Sequence, residues 1–222
     1  MKRVFVAAVA LSVVTLCAGH GQARAASQGP LDLDVTHWSV VARESGPVNY
    51  YQVVNDASMP FIHAHYTPPE ATTVLGMQVA DGDRKDARGL TWQWRAVTLP
   101  KGGDECADGR GDSAAVVYLT WKGGLKWYTI KDVWSAVGKV GAICDRKRNP
   151  FVAQDTVILE SGGPLGVWKT ETIDLKQEFR RHFDDGNPNG DVPDFVGVGI
   201  MTDGDQTKSE SAADYAAFIL QR

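Results

Sequence analysis

From Val35 to Leu220 the apolar residues come in short runs cut by Gly, Asp, Asn and Pro, and the runs are filled with Val, Tyr, Trp and Thr. β-Branched and aromatic side chains suit a pleated, half-buried surface, and breakers at this density leave little room for long helices. The chain is therefore expected to be mainly β, an antiparallel β-sandwich of jelly-roll type with one short helix. Predicted strands are Ser39–Ala42, Tyr50–Asn55, Phe61–Tyr66, Thr73–Val79, Leu90–Val97, Ala114–Thr120, Trp127–Val133, Thr156–Leu159, Val167–Ile173, Phe195–Thr202 and Tyr215–Leu220. Between Asp174 and Phe183 the period changes. Leu175, Phe179 and Phe183 fall four apart, on one helical face, and Asp174 is placed to cap the first turn. With no strands alternating with long helices, a doubly wound parallel fold is not expected.

The first residues read as an address rather than as fold. Lys2 and Arg3 precede an uncharged run from Val4 to Ala18, and Ala23-Arg24-Ala25 supplies the small-residue cleavage pattern. Residues 1–25 are expected to be a signal peptide, residues 26–34 a flexible leader and residues 35–222 one domain. The apolar run is shorter than the roughly 20 residues a spanning helix needs, so no membrane span is expected and the protein is placed in the periplasm or beyond. Cleavage would remove three basic residues and no acid, moving the formal charge of −4 further acidic. Basic residues are scattered apart from Asp145–Arg148, read as a solvated loop, so nucleic acid is not an expected partner. In an oxidising compartment Cys106 and Cys144, the two cysteines beyond the signal, are expected to pair. A chain with its own core is expected to act as a monomer.

Trp92 and Trp94 stand two apart on one strand and so share a face, with Trp121, Trp127, Tyr128 and Trp134 close behind. Aromatic planes on a sheet either fill a core or stack sugar rings. Arg95 points to the opposite face, as an ion-pair partner or a ligand contact. Asp185, Asn187, Asn189 and Asp191 recur at every second position around glycines, a spacing that suits calcium, although Val196 stands where a bidentate Glu would close an EF-hand. Asp203 and Asp205 follow a Val-Gly-Val-Gly-Ile strand, in which Gly197 and Gly199 imply close packing, assigned to the helix carrying Phe179. Asp112-Ser113 precedes another strand, with Ser113 read as a turn serine. His63 and His65 share a face at a spacing that metal sites use, without a third ligand nearby. Motifs of serine hydrolases, zincins, phosphate loops and dithiol redox centres are missing.

The order Leu90-Thr91-Trp92-Gln93-Trp94-Arg95, Leu99-Pro100 and Gly111-Asp112-Ser113-Ala114-Ala115-Val116-Val117-Tyr118-Leu119 resembles the bacterial domain of unknown function family 3047. Gly166-Val167-Trp168 leading to Asp174, and Gly197-Val198-Gly199-Ile200-Met201-Thr202-Asp203-Gly204-Asp205 before Ala213-Asp214-Tyr215, continue the likeness. The resemblance implies an exported β-sandwich with no established chemistry, and its course is also similar to galactose-binding-like jelly rolls. The expected function is non-catalytic binding of a glycan or other cell-envelope ligand. Trp92, Trp94, Arg95, Asp112, Asp203 and Asp205 are the candidate ligand-binding residues, with no required cofactor and calcium as a structural option. The alternatives are a glycan hydrolase or lyase working through Asp112, Asp203 and Asp205, and a structural envelope component.

Overall fold

The computed structural model describes residues 29–41 and 50–222. The expected signal peptide, residues 1–25, lies outside the described residues. Among the described residues thirteen strands form two facing sheets. The first sheet runs β11 (Lys169–Asp174), β6 (Gly89–Thr98), β13 (Ser211–Gln221), β4 (Phe61–Tyr66) and β3 (Tyr51–Val54), with β1 (Leu31–Asp32) paired to the end of β13. The second runs β2 (Ser39–Val40), β5 (Leu75–Gln78), β12 (Asp194–Met201), β7 (Ala115–Gly123), β8 (Lys126–Ser135), β10 (Val152–Ser161) and β9 (Ile143–Arg148). This is the expected sandwich, antiparallel but for β8 and β10, which run parallel because β9 returns the chain along the outer edge.

Residues 31–34, expected in the leader, belong to the sandwich. Leu31 pairs with Leu220, Leu33 is buried, and Asp34 caps a turn of 3-10 helix at Val35–His37. Asp145–Arg148 is not a loop but the exposed half of β9. A charged edge strand discourages pairing with other chains, and such a strand reads as a loop in sequence.

Period-two alternation decides the core. On β6, Leu90, Trp92, Trp94 and Ala96 are fully buried while Thr91, Gln93 and Arg95 face outward. Trp94 meets Trp92 and, across the sandwich, Trp134, each at 5.8 Å between ring centroids. Trp121 packs on Phe195 at 5.3 Å. Helix α1 (Leu175–Phe183) forms where the four-residue spacing predicts it. Asp174 accepts hydrogen bonds from the Lys176 and Gln177 N–H groups, both at 2.9 Å, satisfying donors that the first turn leaves free. Its Phe179 rests on Trp121 and Tyr128 and so closes one end of the sandwich. Among the described residues no helix is long and apolar enough to cross a membrane. Cys106 and Cys144 form a disulfide, tying the segment between β6 and β7 to β9.

Candidate functional site

The outer face of the second sheet is built by the same alternation that buries Leu119 and Trp121. Cross-strand register sets Gln78, Gly197, Thr120, Thr129 and Gln154 in one row over five strands. A neighbouring row runs Gly76, Gly199, Tyr118, Lys131 and Thr156. The glycines of β12 leave that strand without side chains between better-furnished neighbours. The result is an open groove of about 530 Å³, floored by Gly197 and Gly199 and walled by Val41, Val74 and Met77 on one side and Tyr118 and Trp127 on the other.

The expectation that the helix packs on these glycines is corrected. A Cβ on Gly197 would lie 2.6 Å from the Met77 carbonyl oxygen, and one on Gly199 would lie 3.1 Å from Val74 Cγ1, so the close neighbour is β5 and the residues before it. Trp127 is 43% exposed at the groove, and the Lys122 ammonium, its cross-strand partner, sits 4.0 Å from its ring centroid. Hydroxyls and amides from Thr120, Thr129, Gln78 and Gln154 share the groove with these apolar faces. An apolar trough with a few placed polar groups is the ordinary chemistry of a small-ligand site.

Of the two readings open for Trp92 and Trp94, core and platform, the core one holds, and their place among the candidate ligand-binding residues is corrected. Trp92 and Trp94 have no exposed surface and cannot touch a ligand. Arg95, on the outer face of the first sheet, is an ion-pair partner: its Nε lies 2.6 Å from Asp214, which also holds His63 at 2.6 Å. The guanidinium lies 4.5 Å from the Trp168 ring centroid. His65 is engaged by Glu210, so the two histidines hold separate carboxylates. In the Asp184–Pro193 segment the Asn187 side chain accepts the Asn189 N–H and Gly190 closes onto the Asn187 carbonyl, as successive turns do.

Asp112, Asp203 and Asp205 do converge, each with a carboxylate oxygen within 4.8 Å of the others. They are the residues that could hold a hard cation, which favours clustered carboxylate oxygens. Their present partners are the loop itself. Asp112 accepts from the Gln206 N–H at 3.2 Å and from both the N–H and hydroxyl of Thr207 at 2.7 and 2.6 Å. Asp203 accepts from the Thr72 hydroxyl at 3.0 Å. Burial, then the neighbouring Asp112 charge, pushes the Asp203 pKa up to about 6. A catalytic carboxylate has to meet substrate, whereas Asp112 is fully buried and Asp203 nearly so. Ser113 donates to the buried Glu105 at 2.6 Å, which explains it structurally.

The family model described as protein of unknown function (DUF3047) matches residues 36–219. The chain belongs to that family. No curated protein matches this DUF3047 member. Among solved structures it is similar to the family 11 carbohydrate-binding module from Clostridium thermocellum in complex with a β-1,3-1,4-mixed-linked tetrasaccharide. That likeness has 12% identity and a TM-score of 0.44, over 88% of this chain and 96% of that one. The xyloglucanase domain of NopAA, a type three effector from Sinorhizobium fredii, in complex with cellobiose, matches at 9% identity and a TM-score of 0.45, over 86% and 97%. Trichoderma harzianum endoglucanase 3 matches at 10% identity and a TM-score of 0.37, over 82% and 80%. At these identities the likeness is one of fold.

Proposed function

We propose that this DUF3047 protein is an exported binding domain that lays a glycan along the groove on the outer face of the second sheet, without chemistry of its own. The observation that carries the reading is Trp127, a large aromatic plane left exposed beside a floor of two glycines. The C–H face of a pyranose packs on such a ring, and the hydroxyl and amide row of Thr120, Thr129, Gln78 and Gln154 offers donors and acceptors for its equatorial hydroxyls. Trp38, Trp92, Trp94, Trp121 and Trp134 are buried and Trp168 is partly exposed against Arg95, so the part of a fluorescence change on titration that W127A removes reports on the groove. The disulfide accords with an oxidising destination.

Tryptophan fluorescence and calorimetric titration with cell-envelope and plant-wall oligosaccharides test the proposal. W127A is expected to abolish the spectral shift and weaken binding about tenfold or more, in keeping with the worth of one stacked aromatic contact. A flat response of the wild-type protein across neutral and acidic oligosaccharides would reject glycan binding and leave a structural role in the envelope.

A further inference from the structure

Beside the groove, on the same face, lies a second cavity of about 280 Å³ roofed by the Cys106–Gly111 segment, which the disulfide pins over the sheet. Its floor is Lys131 and Thr156, cross-strand neighbours in the row that contains Tyr118 of the groove wall. Two polar groups here have no counterpart. The Thr156 hydroxyl is 1% exposed and makes no hydrogen bond. The Lys131 ammonium makes no ion pair or hydrogen bond among the described residues; the face of Tyr118 lies 5.8 Å from it, and Asp203, Asp145, Lys147 and Glu105 act on it from beyond contact. Leaving the fully buried Thr156 hydroxyl without a partner costs free energy that a structural role does not explain, and the half-buried Lys131 ammonium shares its cavity.

The other charges at the cavity are engaged. Asp145 is held by Lys147 at 3.2 Å and by the Gln154 amide, also at 3.2 Å. Glu105 takes one serine hydroxyl on each oxygen, from Ser113 and Ser135. Asp108 sits on the exposed rim, and Asp203 acts on Lys131 only through space. Burial, with the Lys147 charge adding to it, holds Lys131 below the ordinary lysine range against the pull of Asp203, Asp145 and Glu105. Although Glu105, Asp108 and Asp145 line the cavity, no acceptor is bonded to Lys131 or to the Thr156 hydroxyl.

We infer that this cavity is a subsite for a single oxyanion borne by the ligand, held by the Lys131 ammonium and the Thr156 hydroxyl. The inference rests on the groove reading for the rest of the ligand and narrows its class to acidic glycans, with a uronate carboxylate or an ester sulfate as the group that enters.

Calorimetry on the full chain separates the cases with tetragalacturonate, a carrageenan tetrasaccharide bearing ester sulfate but no carboxylate, cellotetraose and inorganic sulfate. The acidic oligosaccharide of the right kind is expected to bind about tenfold tighter than cellotetraose, the scale of one charge-assisted contact. K131Q is expected to erase that difference without changing cellotetraose affinity, and K131R to retain most of it. Preference for tetragalacturonate identifies a carboxylate, and preference for carrageenan a sulfate. Inorganic sulfate is expected to raise the melting temperature of wild type saturably and not that of K131Q. If K131Q does not fold, T156V carries the comparison. A sulfate effect lost in K131Q with no oligosaccharide binding keeps the cavity and rejects the groove reading. Equal affinity for acidic and neutral oligosaccharides in wild type, or a wild-type and K131Q response that does not differ, overturns the inference while leaving glycan binding in the groove intact.

Discussion

Three carboxylates whose oxygens lie within 4.8 Å of one another repel, and the loops that bring them together leave Asp203 only 5% exposed. Protonation of Asp203 relieves both the repulsion and the cost of burying charge, which is why its pKa stands at about 6 rather than the usual 3.8. The folded protein therefore holds this proton more tightly than the unfolded chain does. The associated stability is fully present below about pH 4 and is lost as pH rises through about 6, an effect of about 3 kcal/mol for a shift of this size. D203N, which keeps the acceptor for Thr72, is expected to be more stable than wild type at pH 7, by about 1–3 kcal/mol, and equal to it near pH 4. Urea denaturation of the two proteins at intervals across that range checks it; a difference that does not change with pH rejects the account. Saturating calcium would reverse the sign of the comparison if a cation occupies the cluster, because the ion favours the ionised carboxylates. None of this convergence was legible locally. Asp112 and Gln206, joined by a hydrogen bond, are 94 residues apart, so the sequence offers the three acids as candidates without a local signal that they meet. For the tryptophans the alternation told which residues share a face but not which face is inside, so Trp92 and Trp94 stayed open between core and platform. Lys131 and Thr156 went unnoticed for the same reason: a lysine in mid-strand reads as solvent-facing until the Cys106–Gly111 segment is seen to roof it.

Helix α1 was legible because Leu175, Phe179 and Phe183 keep helical spacing and Asp174 supplies the cap, two signals that agree within ten residues. β9 was not, since four charged residues in succession hide a strand that pairs along one edge only and buries little beyond Cys144. The glycines of β12 do mark a close approach, and the partner they meet is the adjacent strand and the residue before it rather than the helix. The distinction has a consequence for the groove. A Cβ on Gly197 would meet the Met77 carbonyl, which is backbone and cannot rotate aside, whereas the one on Gly199 would meet a valine methyl. G197A is accordingly expected to spread the β5–β12 pair and destabilise by about 1–3 kcal/mol, the usual range for overpacking. G199A is expected to cost less than G197A, since the Val74 side chain has room to shift. Thermal melts of the two variants check the order, and equal losses would show that β5 yields as a whole.

Across the whole molecule, the disulfide joins parts that the sheet alone would not hold together. The segment between β6 and β7 crosses the outer face of the second sheet over Lys131 and Thr156, and its disulfide reaches Cys144, which belongs with Val116, Val133, Ile158 and Met201 to a small apolar cluster apart from the main core. Cys106 anchors that cover to Cys144 on β9, the last strand of its sheet. The pairing is legible in the sequence because cleavage of the expected signal peptide would remove Cys17 and leave two cysteines, but what the bridge roofs is not, since the cover and β9 become neighbours only through the parallel return of β10. Two effects of removing it can be separated. Opening a loop of 38 residues in sequence separation raises the entropy of the unfolded chain and is expected to cost about 4 kcal/mol in the chain-entropy model. Loss of the anchor in the folded state is a local matter and would raise amide exchange in the Pro100–Asp112 segment and β9 while leaving β6 and β13 protected. For the double variant C106S/C144S we expect both, read by urea denaturation and by hydrogen exchange under native conditions. A stability loss without local deprotection would mean that the cover is held by its own contacts, the Glu105 bonds to Ser113 and Ser135 foremost. Deprotection without much loss of stability would place the strain of holding the cover down in the native state, where it offsets the entropic gain.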